Sequence, residues 1–321
     1  MSGGGPSTAP QAVIDLGTNT ILMVVGRRRA DGSVEVIDDV HGIARLGQGV
    51  DAQRRIGRGA TDRVCSLLAA YRARARELGA TQVRVYGTSA LRDAANAAEF
   101  AAAVQARTGL AVQAVTGSDE ARLTFAGAAF GLSVPLRYAV LDIGGGSTEL
   151  AFGPRGGPVE TGLSVNLGAV RLTERCFPSL PPAASQVQAA TQLADELLAA
   201  LPPLPPAVPL VGVAGTVTTL GALDRGLDCF DADELNGYRL TVARAVYWRD
   251  RLLSMDLGQA RSLRPVAADR ADIIAAGALI LCRAMDRLRV DEVIVSTRGI
   301  RYGLLLAALT HGDPLSRPAP G

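Results

Sequence analysis

The run AVIDLGTNT at residues 12–20 returns in the second half of the chain as AVLDIGGGST at residues 139–148. In each copy an apolar run leads through an aspartate and a glycine turn to hydroxyl side chains. The apolar runs predict two buried strands, each followed by a tight turn and a further strand. Glycines let backbone N–H groups approach an anion closely, and an aspartate at a strand end suits a hydrated cation. The pair of copies therefore predicts two facing phosphate loops with a metal between them.

The elements around the two copies also repeat. Residues 12–130 predict the order βββαβαβα, and the second half restarts this order at residue 138. A repeated unit of this kind predicts an α/β protein of two related domains with mixed sheets around a central cleft. At the level of the fold, this organisation resembles actin, Hsp70 and the sugar and acetate kinases, an actin-like or ribonuclease H-like architecture. We expect domain I at residues 11–117 plus 300–312, domain II at 118–299, and flexible tails at 1–10 and 314–321.

The composition fits a globular enzyme. The 321 residues are 48% hydrophobic and 20% charged, and their formal net charge is only +2, so no general nucleic-acid footprint follows. All 33 basic residues are arginine, which excludes a P-loop lysine, a Schiff-base lysine and a lysine general base. The basic group that is available is therefore the planar guanidinium of arginine, which suits bidentate contact with phosphate.

The cysteine and histidine residues offer no metal motif. The four cysteines are scattered without a CxxC pair, and the two histidines are far apart in the sequence. The start of the chain lacks the plan of a signal peptide, and no apolar run reaches transmembrane length. We therefore expect a cytoplasmic protein with neither a membrane nor a nucleic acid as partner.

Glu120 is the candidate for catalysis at the junction of the two repeats. It follows a predicted strand, within the run TGSDEARL at residues 116–123, and opens a predicted helix. Acidic residues in a first turn often only complement the helix dipole, and this remains the simplest interpretation of Asp119. Hydrolysis of a phosphoanhydride, however, needs a carboxylate beside a water in line with the terminal phosphorus. The position of Glu120 at the junction favours this second interpretation.

Several motifs in fixed order resemble the exopolyphosphatase/guanosine pentaphosphate phosphatase family, also called Ppx/GppA, in its short two-domain form. The resemblance spans residues 12–310 and rests on the motifs IDxGTNT (14–20), GTxALR (87–92), GxxEARL (117–123), DIGGGSTE (142–149), GxAGT (212–216), RxDxxxxG (270–277) and SxxGxRxG (296–303).

The resemblance implies roles for individual residues. Glu120 matches the family's catalytic glutamate, the general base for the attacking water, and Asp142 and Glu149 match an acidic pair associated with Mg²⁺. The remaining matches imply contacts with phosphate: Thr18, Asn19 and Thr20 of the first loop, Gly144, Gly145, Gly146 and Ser147 of the second, Gly215 and Thr216 of a third turn, and the arginines Arg92 and Arg270. By its local pattern alone, Arg92 would be a helix-surface arginine.

These residues lead to a first hypothesis and several alternatives. The first is an exopolyphosphatase that removes the terminal phosphate of inorganic polyphosphate with Mg²⁺ as cofactor. The same chemistry would remove the 5′-phosphate of guanosine pentaphosphate (pppGpp), and the sequence does not separate the two substrates. Other interpretations are ATP-dependent phosphotransfer and a sensor that binds polyphosphate or the alarmone without cleaving it. A homodimer is a further expectation.

Overall fold

The computed structural model describes residues 8–312 and 314–315. Most of both predicted tails therefore lies outside the described residues. The described start is attached to the fold, because Thr8 and Arg28 exchange two hydrogen bonds of 3.0 Å. None of the helices in the described part has the length and apolar character needed to cross a membrane.

The chain divides into two compact units, Met1–Gly127 with Ile300–Gly321, and Ala128–Gly299. The sequence placed residues 118–127 in the second domain, whereas their contacts place them in the first unit. The reason is packing: Gly303 approaches the carbonyl of Leu123 so closely that no Cβ would fit, and Glu120 pairs with Arg92.

The first unit is built on a five-stranded mixed sheet in the order β3-β2-β1-β4-β5. Strand β1 is antiparallel to β2 and parallel to β4. The elements of this unit are β1 (Gln11–Leu16), β2 (Thr20–Arg28), β3 (Val34–Ile43), α1 (Val50–Gln53), α2 (Arg58–Glu77), β4 (Gln82–Gly87), α3 (Ser89–Asp93), α4 (Ala97–Thr108), β5 (Val112–Ala114) and α5 (Gly117–Ala128), with the C-terminal helix Ile300–His311.

The second unit repeats this order and adds one edge strand. Its six-stranded sheet has the order β10-β11-β9-β6-β7-β8. The elements are β6 (Arg137–Ile143), β7 (Thr148–Pro154), β8 (Thr161–Val165), α6 (Ala169–Cys176), α7 (Ala184–Leu198), β9 (Leu210–Val213), α8 (Ala214–Arg225), α9 (Ala232–Leu235), β10 (Arg239–Thr241), α10 (Val242–Leu253), α11 (Leu257–Ser262), α12 (Ile274–Leu288) and β11 (Glu292–Val295), followed by the C-terminal helix, α13 (Ile300–His311), of the first unit.

The strand patterns explain how the sheets are covered. Strands β1 and β6 are buried almost throughout, as expected for central strands with helices on both faces, and β8 alternates in exposure as an edge strand does. Helix α12 is buried along most of its length and forms the centre of the second core. The confirmed prediction is two related α/β units with mixed sheets.

Two local predictions differ from the structure. The single helix expected at residues 90–108 is broken into α3 and α4, because the Asn96 side chain bonds both the N–H and the carbonyl of Ile56, at 2.8 and 3.0 Å. The turn expected at Gly215 and Thr216 is the first turn of α8. Ala214 makes the change from strand to helix with a left-handed φ of 66°.

Candidate active site

Three parallel neighbours in the first sheet end at the same edge. Leu16 of β1 lies opposite Gly87 of β4, and Gly87 lies opposite Ala114 of β5. The segments that follow these strands are loop 1 (residues 17–20), residues 88–92 and residues 115–120. The carboxyl edge of such a sheet is where ligands bind in open α/β folds. Thus the sequence motifs of the first unit meet at one edge.

The carbonyl groups of loop 1 accept hydrogen bonds from the backbone of residues 44–47. The Gly47 N–H donates to the carbonyl of Thr18 at 2.8 Å, and the Arg45 N–H donates to that of Asn19 at 3.0 Å. The N–H groups of Thr18 and Asn19 donate to no backbone carbonyl in the described part of the chain. The carbonyls are thereby engaged while these N–H groups remain available to an anion.

The Asn19 side chain adds a further donor. Its residue is only 7% exposed, and its Nδ2 atom has no hydrogen-bond partner within residues 8–312 and 314–315. A buried amide N–H without an acceptor costs free energy of about 1–3 kcal/mol, so such groups are uncommon unless a ligand completes them. Asn19 therefore fits the predicted contact with phosphate.

Glu120 and Arg92 form a largely buried ion pair. The Arg92 Nη1 donates to Oε2 of Glu120 at 2.5 Å and to the carbonyl of Val115 at 2.9 Å. The glutamate lies in the first turn of α5, and its side chain is 9% exposed. Burial raises the pKa of Glu120 above its ordinary value of 4.5, and the nearby guanidinium opposes this rise. A raised pKa makes a carboxylate a stronger proton acceptor than an ordinary glutamate.

Asp119 has a different environment from its neighbour. The hydroxyl of Thr116 donates to its carboxylate at 2.7 Å, and Thr116 Oγ1 accepts the Asp119 N–H at 3.1 Å. These contacts cap the start of α5. They agree with the interpretation of Asp119 as a residue of the helix start.

Loop 2 (residues 144–147) repeats the turn of loop 1 in the second unit. The Gly144 N–H donates to the carbonyl of Ser147 at 3.0 Å, and the Gly17 N–H donates to that of Thr20 at the same distance. Ser147 is 3% exposed. The two glycine turns seen in the sequence are therefore the same local structure.

Two carboxylates flank loop 2 in register. Asp142 of β6 lies directly opposite Glu149 of β7, so their side chains are on the same face of the sheet. Both residues are buried, and the Ser164 hydroxyl donates to Glu149 at 2.7 Å. No cluster of three or more His, Cys, Asp or Glu side chains suited to a metal occurs among the described residues. Two carboxylates fit Mg²⁺, which keeps several waters and binds through one or two protein carboxylates plus phosphate oxygens.

Arg270 lies against the start of α8. Its guanidinium occupies the space that a Cβ on Gly215 would need, so the glycine permits the contact. Thr216 is 2% exposed and packs against Gly277 of α12. Burial lowers the pKa of the Arg270 guanidinium below its ordinary value. Because β9 is parallel to β6, this site and loop 2 follow neighbouring strands.

Three features of the site were not predicted from the sequence: the Gly47 contact with loop 1, the Ser164 hydroxyl on Glu149, and Arg171. The last is 7% exposed and donates through Nε to the carbonyl of Gly146 at 2.8 Å. The only sequence signal for Ser164 is a polar residue in a short strand, and Arg171 has no local signal, since arginine is usually at the surface.

The fold and site define a class of protein. Each unit carries a glycine turn with engaged carbonyls at the carboxyl end of a central strand, and a buried glutamate–arginine pair stands beside the first turn. This combination is typical of α/β proteins that bind and transfer phosphoryl groups.

Comparison with known proteins gives the family. Residues 24–311 match the Ppx/GppA phosphatase family. The chain is 36% identical over 312 residues to Exopolyphosphatase 2 of Mycobacterium tuberculosis, covering 92% of this chain and 97% of that protein. The protein belongs to the Ppx/GppA phosphatase family.

Solved structures agree with this assignment. The crystal structure of an exopolyphosphatase-like protein is 30% identical, with a TM-score of 0.89, over 94% of this chain and 98% of that one. The Aquifex aeolicus family member is 29% identical, with a TM-score of 0.80, over 95% of this chain and 98% of that one. The predictions of the family, of an α/β fold with two units built on mixed sheets, and of a phosphatase activity are confirmed.

Proposed function

We propose that this protein is an exopolyphosphatase that hydrolyses the terminal phosphoanhydride of inorganic polyphosphate. Water attacks the terminal phosphorus, the bond to the bridging oxygen breaks, and the bridging oxygen keeps the electron pair. The products are orthophosphate and a chain shorter by one phosphate. The name of the mycobacterial relative supports polyphosphate as the substrate.

The observation that carries the proposal is the buried pair of Glu120 and Arg92. A protein that only bound polyphosphate would gain nothing from a buried carboxylate beside its anion site, because like charges repel. In hydrolysis, by contrast, the carboxylate accepts the proton of the attacking water. Arg92 then neutralises negative charge on the terminal phosphate.

The other site residues bind the substrate in this proposal. Loop 1 and loop 2 donate backbone N–H groups and hydroxyls to phosphate oxygens, and the Asn19 amide adds one more donor. In the second unit, Arg270 lies against Gly215 and supplies a guanidinium for phosphate, and Thr216 follows Gly215 at the start of α8. Within each unit these groups are fixed by the fold before substrate arrives, so little reorganisation of either loop is needed during the reaction.

We further propose that Asp142 and Glu149 hold a Mg²⁺ ion. Their oxygen donors and their register on β6 and β7 fit this hard cation. When bound, Mg²⁺ supplies charge neutralisation at phosphate oxygens. The chain's own part is to orient the two carboxylates, and the hydrogen bond from Ser164 orients Glu149.

The test is phosphate release by the purified protein and its Glu120→Gln variant. The substrates are long polyphosphate, tripolyphosphate and pppGpp, each with and without Mg²⁺. We expect the parent to release phosphate from polyphosphate. The variant keeps binding and loses activity by roughly 10²–10⁴-fold, the usual contribution of a general base. Glu99→Gln is the matched control, since Glu99 is exposed in the same unit.

Each other result has a definite meaning. Equal activity of Glu120→Gln and the parent would remove Glu120 as the base. Phosphate release from pppGpp but not from polyphosphate would show that pppGpp, and not polyphosphate, is the substrate. ATP consumption that requires an acceptor would indicate a kinase, and tight binding without any release would indicate a sensor.

A further inference from the structure

We propose that Arg171 is a positioning residue for loop 2: together with the N-terminus of α6 it fixes the carbonyls of the loop and so aims its N–H groups at phosphate. This inference rests on the proposed function, because it concerns the same phosphate loop. Nothing in the sequence motifs assigns a role to this arginine.

All three glycine carbonyls of loop 2 accept hydrogen bonds from one short segment. The donors come from the first residues of α6 and from one side chain of that helix. The bonds are Ala169 N–H to Gly144 O at 2.9 Å, Val170 N–H to Gly145 O at 2.9 Å, Arg171 N–H to Gly145 O at 3.1 Å, and Arg171 Nε–H to Gly146 O at 2.8 Å.

The direction of the loop N–H groups follows from peptide geometry. In a planar trans peptide, the carbonyl of one residue and the N–H of the next point in opposite directions. Carbonyls that face α6 therefore turn the N–H groups of Gly145, Gly146 and Ser147 away from it. Those N–H groups donate to no backbone carbonyl of the described residues. The loop thus presents three consecutive donors on the side opposite α6.

The third carbonyl explains why an arginine stands at position 171. The backbone of α6 reaches the carbonyls of Gly144 and Gly145, and the carbonyl of Gly146 is bound by the side chain. The Nε–H of a guanidinium is a charged donor in a fixed plane, and such bonds are stronger than neutral ones. Arg171 is 7% exposed, so it also places a positive charge in the protein interior behind an anion-binding turn.

Gly168 provides the close approach that this contact needs. A Cβ at this position would lie 2.5 Å from both the carbonyl oxygen of Gly145 and the nitrogen of Gly146. The residue has φ −145° and ψ 165°, an extended conformation that alanine adopts freely. Glycine is therefore required here by the distance between α6 and loop 2, not by backbone strain.

Loop 1 shows the same principle with other donors. Its carbonyls at Thr18 and Asn19 are bound by backbone N–H groups of Gly47 and Arg45. Both turns therefore have their carbonyls fixed from behind. Loop 2 differs in using a buried guanidinium for the last of them.

The experiment measures tripolyphosphate binding calorimetrically in the Glu120→Gln background, where hydrolysis does not interfere. We compare Arg171→Lys and Arg171→Met with the same changes at Arg175, an exposed position one turn later on α6. Loss of a hydrogen bond from a charged donor predicts a Kd raised by roughly 10- to 100-fold for Arg171→Met. The lysine variant keeps the charge but lacks the planar Nε–H, so we expect a smaller increase.

A kinetic measurement separates positioning from a general loss of structure. With Glu120 intact, Arg171→Lys should raise KM for polyphosphate by the same factor as Kd. The acid limb of the pH–rate profile, set by Glu120 in the other unit, should stay in place. A shift of that limb, or an unchanged KM, would overturn the positioning role.

Gly168→Ala provides a variant that leaves the arginine in place. Its added methyl displaces loop 2, so we expect weaker tripolyphosphate binding with a native circular dichroism spectrum. Normal binding by a folded Gly168→Ala protein would refute the inference, even where Arg171→Met fails to fold. Continued hydrolysis in the Glu120→Gln background would instead contradict the role of Glu120 as the base. The binding comparison could then still be made with short incubation times, before much substrate is hydrolysed.

Discussion

Replacing Arg92 with methionine tests the buried ion pair through the dependence of stability on pH. The change removes the guanidinium that lies 2.5 Å from Glu120 and leaves the carboxylate buried. Burial already raises the pKa of Glu120, and Arg92 lowers it. In the variant the pKa of Glu120 in the folded protein is therefore higher than in the parent.

The sign and size of the effect follow from proton linkage. The folded pKa of Glu120 exceeds its ordinary value of 4.5, so folding favours the protonated acid. The contribution of Glu120 to the free energy of unfolding is fully present below about pH 4.5, its unfolded pKa, and is lost as the pH rises through the pKa of the folded protein. In Arg92→Met this loss continues to higher pH. The stability gap to the parent therefore widens with pH, by at most about 1.4 kcal/mol per pH unit for one proton.

A second part of the gap does not depend on pH. Arg92 also donates to the carbonyl of Val115 at 2.9 Å, and losing this bond costs about 1 kcal/mol. Urea unfolding of the parent and variant between about pH 5 and pH 8 gives the difference in unfolding free energy at each pH. In a plot of this difference against pH, the constant part is the intercept and the part due to Glu120 is the slope. The double variant Arg92→Met/Glu120→Gln is the control, because it keeps the intercept and lacks the titrating group. A gap that is constant with pH in Arg92→Met would refute the coupling inferred from the geometry.

Two further predictions concern the loops. In Gly47→Ala, the added Cβ overlaps the Thr18 methyl group and disturbs the hydrogen bond from the Gly47 N–H to the Thr18 carbonyl. We therefore expect tripolyphosphate binding to weaken by about tenfold, the usual effect of losing one hydrogen bond. Gly57→Ala, where a Cβ meets open space, should bind as the parent does, and equal binding by both variants would contradict the role of the loop 1 contacts. In Glu149→Gln, we expect half-maximal phosphate release to need about tenfold more Mg²⁺ or beyond, since one charged ligand is lost. An unchanged Mg²⁺ titration would remove Glu149 from the metal site.

The doubled glycine turn could be predicted because its signals are local. An apolar run followed by glycine and hydroxyl residues needs no partner to be recognised, and both turns close with the same 3.0 Å bond. The breaks in regular structure had other causes. Asn96 ends a helical run only because Ile56, forty residues earlier, offers its backbone to the amide.

Arg171 shows why parts of the site could not be predicted. It is one arginine in a chain whose 33 basic residues are all arginine, and its helix is short and amphipathic. Only the packing of α6 behind loop 2 buries the side chain and brings it to the carbonyl of Gly146. Arg171 and Gly146 are 25 residues apart in the sequence, so no local sequence pattern indicates their contact.

The two hairpins also explain how similar turns can serve different chemistry. Asp15 stands two residues before Gly17, as Asp142 stands two residues before Gly144. Across the hairpin, however, Asp15 lies opposite Leu22, whereas Asp142 lies opposite Glu149. A single position therefore gives the second hairpin a carboxylate pair and leaves the first with one acid. The candidate general base of the first unit, Glu120, lies instead on α5 and pairs with Arg92. In the proposed mechanism Glu120 accepts a proton whereas Asp142 and Glu149 bind a cation, and the structure places these two tasks on different elements: Glu120 on α5, and the carboxylate pair on β6 and β7.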